Sequence, residues 1–274
     1  MRSPPTQAYL VCATPRSGST LLCEMLLATG RAGRPLEHFE VLSHTSLPRQ
    51  PREYFIECGD PELLEVLAPL EPGTPSAEPP EAWRTRILAE GASENGVWGG
   101  KLMWGHVEDL LGRVHRLAGL ADANLATALR ALLGDPHLIY VARQDRVAQA
   151  VSLWRAVQTQ SWRADTSPSA QASRADDIRS PAGARYRFAA IEHLVAGLEA
   201  DDRAWREWFA QSGLTPMVVT YEELDRAPQE VVGRVLDELG LGAVEPPAPA
   251  LHRQRDERSA EWAQRFRIER ERAA

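Results

Sequence analysis

Residues Tyr9–Leu22 read YLVCATPRSGSTLL, and this stretch determines the fold class. It begins with an apolar run, Tyr9–Ala13, whose residues favour a buried strand, and continues into a short polar loop that contains Gly18. From Leu21 onward, apolar residues recur at helical spacing until Gly30 ends the pattern. The stretch therefore predicts a strand, a polar glycine-containing loop and a helix in direct succession.

Three further apolar runs predict strands, and helical patterns follow two of them. The predicted strands are Gly96–Trp104, His137–Arg143 and Met217–Tyr221. Helices are expected from about Asp145 to Thr159 and near Pro228–Gly240, where proline stands close to the start and glycine at the end. Strands that alternate with helices indicate an α/β fold, with a mostly parallel sheet and helices on both faces.

The composition excludes several classes of protein. The 274 residues include 31 Lys plus Arg and 38 Asp plus Glu, a net charge of −7, and Lys101 is the only lysine. This acidic total argues against a nucleic-acid binder, and no apolar run reaches the roughly 18 residues of a membrane span. Without a signal-peptide pattern, and with Cys12, Cys23 and Cys58 in no disulfide or zinc spacing, we expect reduced thiols in a cytoplasmic protein.

Irregular stretches interrupt the pattern, but we predict one domain over residues 1–274. Glu71–Pro80 holds four prolines and is expected to be irregular. Residues 165–184 lack any period and are expected to form an irregular, mobile segment, because loops of this length usually are lids or disordered. After a proline-rich linker at Glu245–Pro249, Leu251–Arg272 is expected to be a charged, helical tail.

The loop after the first predicted strand has the chemistry of an anion site. Backbone N–H groups of a glycine-containing loop that opens a helix bind anions, and the helix dipole adds to this attraction. Ser17, Ser19 and Thr20 supply hydroxyl donors, and Arg16 supplies a planar guanidinium that matches phosphate or sulfate oxygens. These residues predict a phosphate-type ligand; the alternative is a helix N-cap in a polar loop.

The same loop departs from two common nucleotide-binding motifs. The nucleotide-hydrolase motif G-x-x-x-x-G-K-[ST] would need glycine at Ala13 and lysine at Ser19. The sequence also lacks a dinucleotide-binding G-x-G-x-x-G motif. The loop therefore argues against an ATPase or kinase of the usual type and against a dinucleotide-binding fold.

The loop Pro15–Thr20 (PRSGST) resembles the 5′-phosphosulfate loop of sulfotransferases that use 3′-phosphoadenylyl sulfate (PAPS), whose pattern is P-[KR]-[ST]-G-[ST]-[ST]. A second marker of those enzymes is an arginine after a later strand, followed about two helical turns on by a serine. Arg143 and Ser152 match this marker, with one residue more between them than in the commoner members. Two anion sites that both follow strands fit a ligand with two phosphate groups.

More narrowly, the chain resembles the bacterial trehalose 2-sulfotransferase (Stf0-type) family of PAPS-dependent enzymes from about Thr6 to Arg270. The strings that carry this resemblance are ATPRSGSTLL, QPREYF, NGVWGGKLMW, QAVSLWRAVQT and RQRDERSAEW. The resemblance implies a P-loop-like sulfotransferase fold, PAPS as co-substrate and 3′,5′-ADP as product. It also implies a reaction without a metal and a homodimer.

Sulfuryl transfer needs a general base that accepts the proton of the attacked hydroxyl. In many sulfotransferases this base is a His two residues after a Lys on the second strand, but here Met103 follows Lys101 at that distance and cannot accept a proton. In the Stf0-type family the base is a Glu in a G-x-P-x-E context, which Gly33–Glu37 matches. The resemblance therefore implies Glu37 as the base. The competing candidates are Glu40, His38, His44 and His106.

Cations should meet the charge that develops on the sulfuryl and leaving-group oxygens. Arg16 and Lys101 are the candidates, although a charge at the end of a strand is the alternative interpretation of Lys101. The resemblance also implies a C-terminal loop that closes over the nucleotide, where arginines could reach the 3′-phosphate. These arginines are Arg253, Arg255 and Arg258.

The resemblance implies a small carbohydrate-like acceptor, with trehalose as the first expectation. The residues that correspond to the family's sugar pocket are Pro15, Arg34, Pro35, Leu36, Glu37, His38, Phe39, Glu40, Arg49 and Tyr54. The trehalose enzymes carry Gln at the position of Pro15 and a more amide-rich stretch at Arg34–Glu40. Because specificity depends on polar groups that meet substrate hydroxyls, another small hydroxylated metabolite, a glycolipid precursor or an anionic acceptor stays open.

Two other functions compete with sulfuryl transfer. The first is a nucleotide kinase or other P-loop phosphotransferase, which the missing lysine of the nucleotide-hydrolase motif and the lack of an evident Mg²⁺-binding Asp after a strand disfavour. The second is a non-catalytic nucleotide-binding protein that kept the loop. The presence of both Glu37 and Lys101 disfavours this second alternative.

Overall fold

A parallel sheet of four strands organises the protein in a computed structural model. The structure describes residues 4–40, 47, 50–56, 58–74, 77–160, 162, 183–249 and 257–273. The strands within these residues are β1 (Gln7–Ala13), β2 (Val97–Met103), β3 (His137–Ala142) and β4 (Met217–Thr220). Their order in the sheet is β2-β1-β3-β4, and every neighbouring pair is parallel. All four predicted strands and the α/β fold class are thus confirmed.

Ten α-helices occur within the described residues. They are α1 (Ser19–Ala28), α2 (Pro61–Glu65), α3 (Pro80–Glu90), α4 (Val107–Val114), α5 (Leu125–Leu133), α6 (Arg146–Thr159), α7 (Phe188–Ser212), α8 (Tyr221–Arg226), α9 (Pro228–Glu238) and α10 (Glu257–Ala273). Helices α6 and α9 confirm the two helices predicted after strands. Helix α10 confirms the tail from Glu257 onward, whereas residues 251–256 lie outside the described part. None of these helices combines the length and hydropathy needed to cross a bilayer.

Helices pack on both faces of the sheet because successive strand side chains point to opposite sides. Tyr9, Val11 and Ala13 of β1 face one apolar layer, which α1, α8 and α9 complete. Leu10 and Cys12 face the opposite layer, which α3, α4, α5 and the C-terminal part of α7 complete. Strands β1, β2 and β3 are therefore buried on both sides, which explains their almost continuous apolar sequences, whereas Val218 of the edge strand β4 is exposed.

The proline-rich stretch Glu71–Pro80 is irregular up to Pro79, as far as the structure describes it. The prediction is wrong for Pro80, which is the first residue of α3. Proline is tolerated there because the first N–H groups of a helix have no partner within the helix. Most of the predicted mobile segment, residues 165–182, lies outside the described residues.

The chain divides into two compact units, and the single domain predicted over residues 1–274 stays a prediction. Unit 1 comprises Met1–Arg49, Pro72–Gln144 and Asp201–Ala250, and unit 2 comprises Gln50–Glu71, Asp145–Ala200 and Leu251–Ala274. Unit 1 contains the sheet and its two apolar layers. Unit 2 has its own apolar core, in which α6 packs against α10.

Candidate active site

The loop between β1 and α1 turns through two residues with positive φ, Arg16 at 60° and Gly18 at 89°. Gly18 is the N-cap of α1, and a Cβ placed there would lie 2.8 Å from Cδ2 of Tyr221. Glycine is therefore needed at this position both for its backbone conformation and for space. The loop that results brings backbone N–H groups to the start of a ten-residue helix.

Three polar side chains at this loop are buried. Thr14, Ser17 and Ser19 are each at most 1% exposed. The hydroxyl of Ser17 makes no hydrogen bond with any described residue. Because a buried hydroxyl without a partner costs about 1–3 kcal/mol, and because α1 has no side-chain cap at its N-terminus, the loop has the properties of a site for a phosphate or sulfate group.

Arg143 lies next to this loop although 126 positions separate it from Ser17. It follows β3 directly, and β3 is the parallel neighbour of β1, so both strands end at the same edge of the sheet. Nη1 of Arg143 donates a hydrogen bond of 3.1 Å to the carbonyl of Arg16. The guanidinium carbon lies 4.1 Å from the centre of the Tyr221 ring, and the side chain is buried.

Lys101 and Glu37 form an ion pair at the same edge. Nζ of Lys101 lies 2.6 Å from Oε1 of Glu37 and donates a hydrogen bond of 3.3 Å to Oγ1 of Thr20 in α1. Burial lowers the pKa of Lys101, but the charges of Glu37, Cys23 and Glu40 outweigh burial, so the net shift of this pKa is upward. The lysine therefore stays protonated and stabilises the ionised form of Glu37.

The segment that carries Glu37 is fixed to the edge strand β2. Leu36 forms a single parallel bridge with Gly100, and the Lys101 N–H donates a hydrogen bond of 2.9 Å to the Leu36 carbonyl. Gly33, at a φ of 64°, lets the chain pass so close to β2 that a Cβ there would lie 2.4 Å from the Gly99 nitrogen. This backbone geometry places Glu37 beside Lys101.

His38, the residue after Glu37, also attaches this segment to β2. Its Nε2 lies 2.9 Å from the Arg34 carbonyl and 3.3 Å from the Gly99 carbonyl. Both partners are acceptors, so Nε2 carries the hydrogen and is not available as a base. Burial lowers the pKa of His38, so the ring is neutral at physiological pH. These contacts favour a structural role for this candidate base.

The remaining residues predicted to bind the acceptor or the nucleotide differ in exposure. Pro35 and Phe39 are buried, Pro15 and Glu40 are half-buried, and Arg34 and Leu36 are exposed. Ser152, Tyr54 and Arg258 belong to unit 2, where Ser152 lies on α6, Arg258 is exposed on α10, and the Tyr54 ring stacks with Trp162. Arg49, Arg253 and Arg255 lie outside the described residues.

Sequence reasoning missed three contributors to this edge of the sheet. Tyr221 and Glu222 directly follow β4, and Glu222 Oε1 accepts a hydrogen bond of 3.1 Å from the N–H of Gln144 after β3. Thr14 follows β1 and is buried. The signal was present, because the ends of predicted parallel strands share one edge, but Tyr221 was assigned to the strand itself.

The described residues contain no group of three or more His, Cys, Asp or Glu side chains that could hold a metal. The fold and the site together define an α/β protein with an anion-binding loop and a carboxylate–ammonium pair at the carboxyl edge of its sheet. Such a pair beside an anion loop can deprotonate a hydroxyl and stabilise charge on a transferred group.

Comparison with known proteins specifies this class further. The sequence model of the Stf0 sulphotransferase family matches residues 8–269. Trehalose 2-sulfotransferase of Mycobacterium tuberculosis is 43% identical over 262 residues, and that of Mycolicibacterium smegmatis is 45% identical over 261 residues; each alignment covers 95% of this chain and 94% of the relative. The crystal structure of a sulfotransferase from Alicyclobacillus acidocaldarius aligns over 98% of this chain and 93% of its own, at 13% identity and a TM-score of 0.45.

The chain belongs to the Stf0 sulfotransferase family, because the family match spans nearly the whole sequence. The protein is therefore an enzyme of the sulfotransferase class. The resemblance inferred from the loop and from the later strings is thus confirmed. It replaces the two alternatives, a kinase and a non-catalytic nucleotide-binding protein.

Proposed function

We propose that the protein transfers the sulfuryl group of PAPS to a hydroxyl of trehalose and releases 3′,5′-ADP. The names of the two mycobacterial relatives support trehalose as the acceptor. The observation that carries the mechanism is that Nζ of Lys101 contacts both Oε1 of Glu37, at 2.6 Å, and Oγ1 of Thr20, at 3.3 Å. One ammonium thus joins the candidate base to the anion loop, as transfer from a bound donor to a hydroxyl requires.

The reaction is an in-line displacement at sulfur. The acceptor oxygen forms a new S–O bond while the bond between sulfur and the bridging phosphosulfate oxygen breaks, and 3′,5′-ADP leaves with that electron pair. Glu37 takes the proton of the acceptor hydroxyl, and Lys101 and Arg16 stabilise the charge on the sulfuryl and leaving-group oxygens. We propose that no metal takes part, because these cationic side chains supply the charge that a Lewis acid would supply.

The donor's two anionic ends are assigned to different elements. Residues Arg16–Thr20 bind the 5′-phosphosulfate, since their N–H groups and hydroxyls open α1. Arg143 binds the 3′-phosphate, with Ser152 as its expected helper. We also expect one or more of the C-terminal arginines to bind the 3′-phosphate. The candidates are Arg253, Arg255 and Arg258.

A second acceptor class is favoured by the exposed guanidinium of Arg34, three residues before Glu37. An acceptor with an anionic group could pair with this side chain. Such an acceptor would be another small hydroxylated metabolite or a glycolipid precursor, and the chemistry at Glu37 would be the same. We further propose that the protein works in the cytoplasm as a homodimer.

The test is transfer of radiolabelled sulfate from PAPS to a panel that contains trehalose, other disaccharides, anionic sugars and a cell extract. We expect label on trehalose, and labelling at least about a hundredfold slower with a Glu37→Gln variant. Label on another component, with trehalose unlabelled, would replace the acceptor but keep the reaction. Calorimetry supplies the control for the class of donor: tight binding of ATP–Mg²⁺ without binding of 3′,5′-ADP would contradict the proposed reaction.

A further inference from the structure

Tyr221 occupies a rigid position where β4 passes into α8. The side chain of Thr220 accepts a hydrogen bond of 3.2 Å from the Glu223 N–H, and the Glu223 carboxylate accepts one of 3.1 Å from the Thr220 N–H. This reciprocal capping box fixes the first turn of α8, to which Tyr221 belongs. The direction in which its side chain leaves the backbone is therefore well determined.

The ring of Tyr221 contacts both proposed anion-binding elements. One contact is with Arg143, whose guanidinium carbon lies 4.1 Å from the ring centre. The other is with the phosphosulfate loop, because Cδ2 of the ring lies 2.8 Å from the place where a Cβ of residue 18 would be. A guanidinium over an aromatic face is attracted by the negative face of the ring. The ring is thus wedged between Arg143 and Gly18.

Arg143 is held from a second direction as well. Its Nη1 donates a hydrogen bond of 3.1 Å to the carbonyl of Arg16 in the loop. A guanidinium that is stacked on one face and hydrogen-bonded at one edge loses most of its freedom to rotate. Its remaining N–H groups then keep a fixed direction relative to the loop, which favours a ligand with phosphates at a fixed separation.

We propose that Tyr221 is a positioning residue for the sulfuryl donor: its ring holds the Arg143 guanidinium in the orientation that binds the 3′-phosphate. This inference rests on the proposed function, which assigns the 3′-phosphate to Arg143. Tyr221 acts through Arg143, so its contribution appears only with ligands that carry a 3′-phosphate. The aromatic ring carries the effect, and the hydroxyl does not.

The test compares two ligands that differ only in the 3′-phosphate, 3′,5′-ADP and 5′-AMP, by calorimetry. We expect Tyr221→Leu to weaken 3′,5′-ADP about tenfold and 5′-AMP less than about threefold. Tyr221→Phe keeps the ring and should bind both ligands like the wild type. Equal losses for the two ligands in Tyr221→Leu, or a Phe variant as weak as the Leu variant, would overturn the inference.

A double-mutant cycle separates positioning from a general structural effect. If Tyr221 acts through Arg143, Tyr221→Leu added to Arg143→Ala weakens 3′,5′-ADP no further, whereas independent roles give additive losses. Circular dichroism and thermal denaturation verify folding. If the Leu variant does not fold, Tyr221→Met carries the same test, because Met fills space without a ring face. A wild type that does not prefer 3′,5′-ADP to 5′-AMP contradicts the proposed function; a preference that Tyr221→Leu leaves intact contradicts only this inference.

Discussion

At the scale of single residues, the ion pair of Glu37 and Lys101 supports the proposal of Glu37, and not Glu40, as the base. Glu37 is in contact with the buried ammonium that also reaches Thr20. Glu40, the sequence-based competitor, also raises the pKa of Lys101, but its effect is smaller than that of Glu37. The geometry therefore gives two neighbouring glutamates different chemical environments.

We expect Glu37→Gln to lower kcat by about 10²–10⁴-fold, the range for loss of a general base. The affinity for 3′,5′-ADP should change little, because the proposed role of Glu37 concerns the acceptor hydroxyl. Steady-state kinetics and calorimetry measure the two effects separately. Glu40→Gln is the matched control and should keep most of the turnover; a Glu40→Gln variant as slow as Glu37→Gln would remove this distinction.

A second prediction concerns His38, whose Nε2–H group donates hydrogen bonds to the Arg34 and Gly99 carbonyls. His38→Leu removes this donor from both carbonyls, of which that of Gly99 is buried, and should lower the free energy of unfolding by about 1–3 kcal/mol. His38→Gln offers an amide N–H₂ group near the same place and should recover part of the loss. Urea denaturation measures these differences, and equal stability of the Leu variant and the wild type would contradict the structural role.

At the scale of elements, the connection from β1 to α1 depends on Gly18. Two requirements meet there: the positive φ of 89° and the ring of Tyr221 within contact distance of any added Cβ. Gly30, at the other end of α1, has a φ of 64° but nothing within 4 Å of an added Cβ. A substitution at Gly30 therefore measures the cost of backbone strain alone, whereas a substitution at Gly18 adds the cost of a steric clash with Tyr221.

We expect Gly30→Ala to cost about 1–2 kcal/mol of stability, the penalty for a side chain in the left-handed region. Gly18→Ala should cost more than this and should also weaken 3′,5′-ADP, because the added methyl displaces Tyr221 and the loop. Thermal denaturation and calorimetry on both variants measure the difference. If Gly18→Ala and Gly30→Ala lower the stability equally and leave the affinity for 3′,5′-ADP equally unchanged, the close approach of Tyr221 to Gly18 has no consequence.

At the scale of the whole molecule, burial of thiols on both faces of the sheet links stability to pH. Cys12 belongs to one apolar layer and Cys23 to the other. Burial raises the pKa of Cys23 to about 12 and raises that of Cys12 as well. Because the thiol pKa in the unfolded chain is about 8.5, the stability linked to these groups is complete below that pH and is lost as the pH rises further.

The free energy of unfolding should therefore fall above pH of about 8.5, by roughly 1.4 kcal/mol per pH unit for each of the two thiols. Urea denaturation at pH 7.5 and at pH 10 measures this slope. In a Cys12→Ala, Cys23→Ala double variant the slope should flatten, whereas Cys58→Ala, which changes a half-buried residue, should leave it as in the wild type. A double variant with an unchanged slope would assign the alkaline loss to other groups.

The sequence predicted the sheet and the anion loop because both depend on local information. Apolar runs of β-forming residues predict strands wherever both faces are covered, and the PRSGST string carries its own glycine and hydroxyls. Glu37 was identified through resemblance to a family, whereas Lys101 was also a candidate from the sequence itself, as the only lysine and within an apolar segment. Pro80 was missed because a proline at the first position of a helix looks, in sequence, like a proline in a loop.

By itself, the sequence determined which residue types are available: the lone lysine, the G-x-P-x-E string and the arginine after the third strand. Only the tertiary structure decided which of them meet. Parallel strands bring their carboxyl ends to one edge, so Lys101 and Arg143 become neighbours of the loop that contains Arg16 and Thr20. The position of the Tyr221 ring between Arg143 and Gly18 also depends on the tertiary structure. Contacts between residues far apart in the sequence are set by strand order and close packing, which no local pattern encodes.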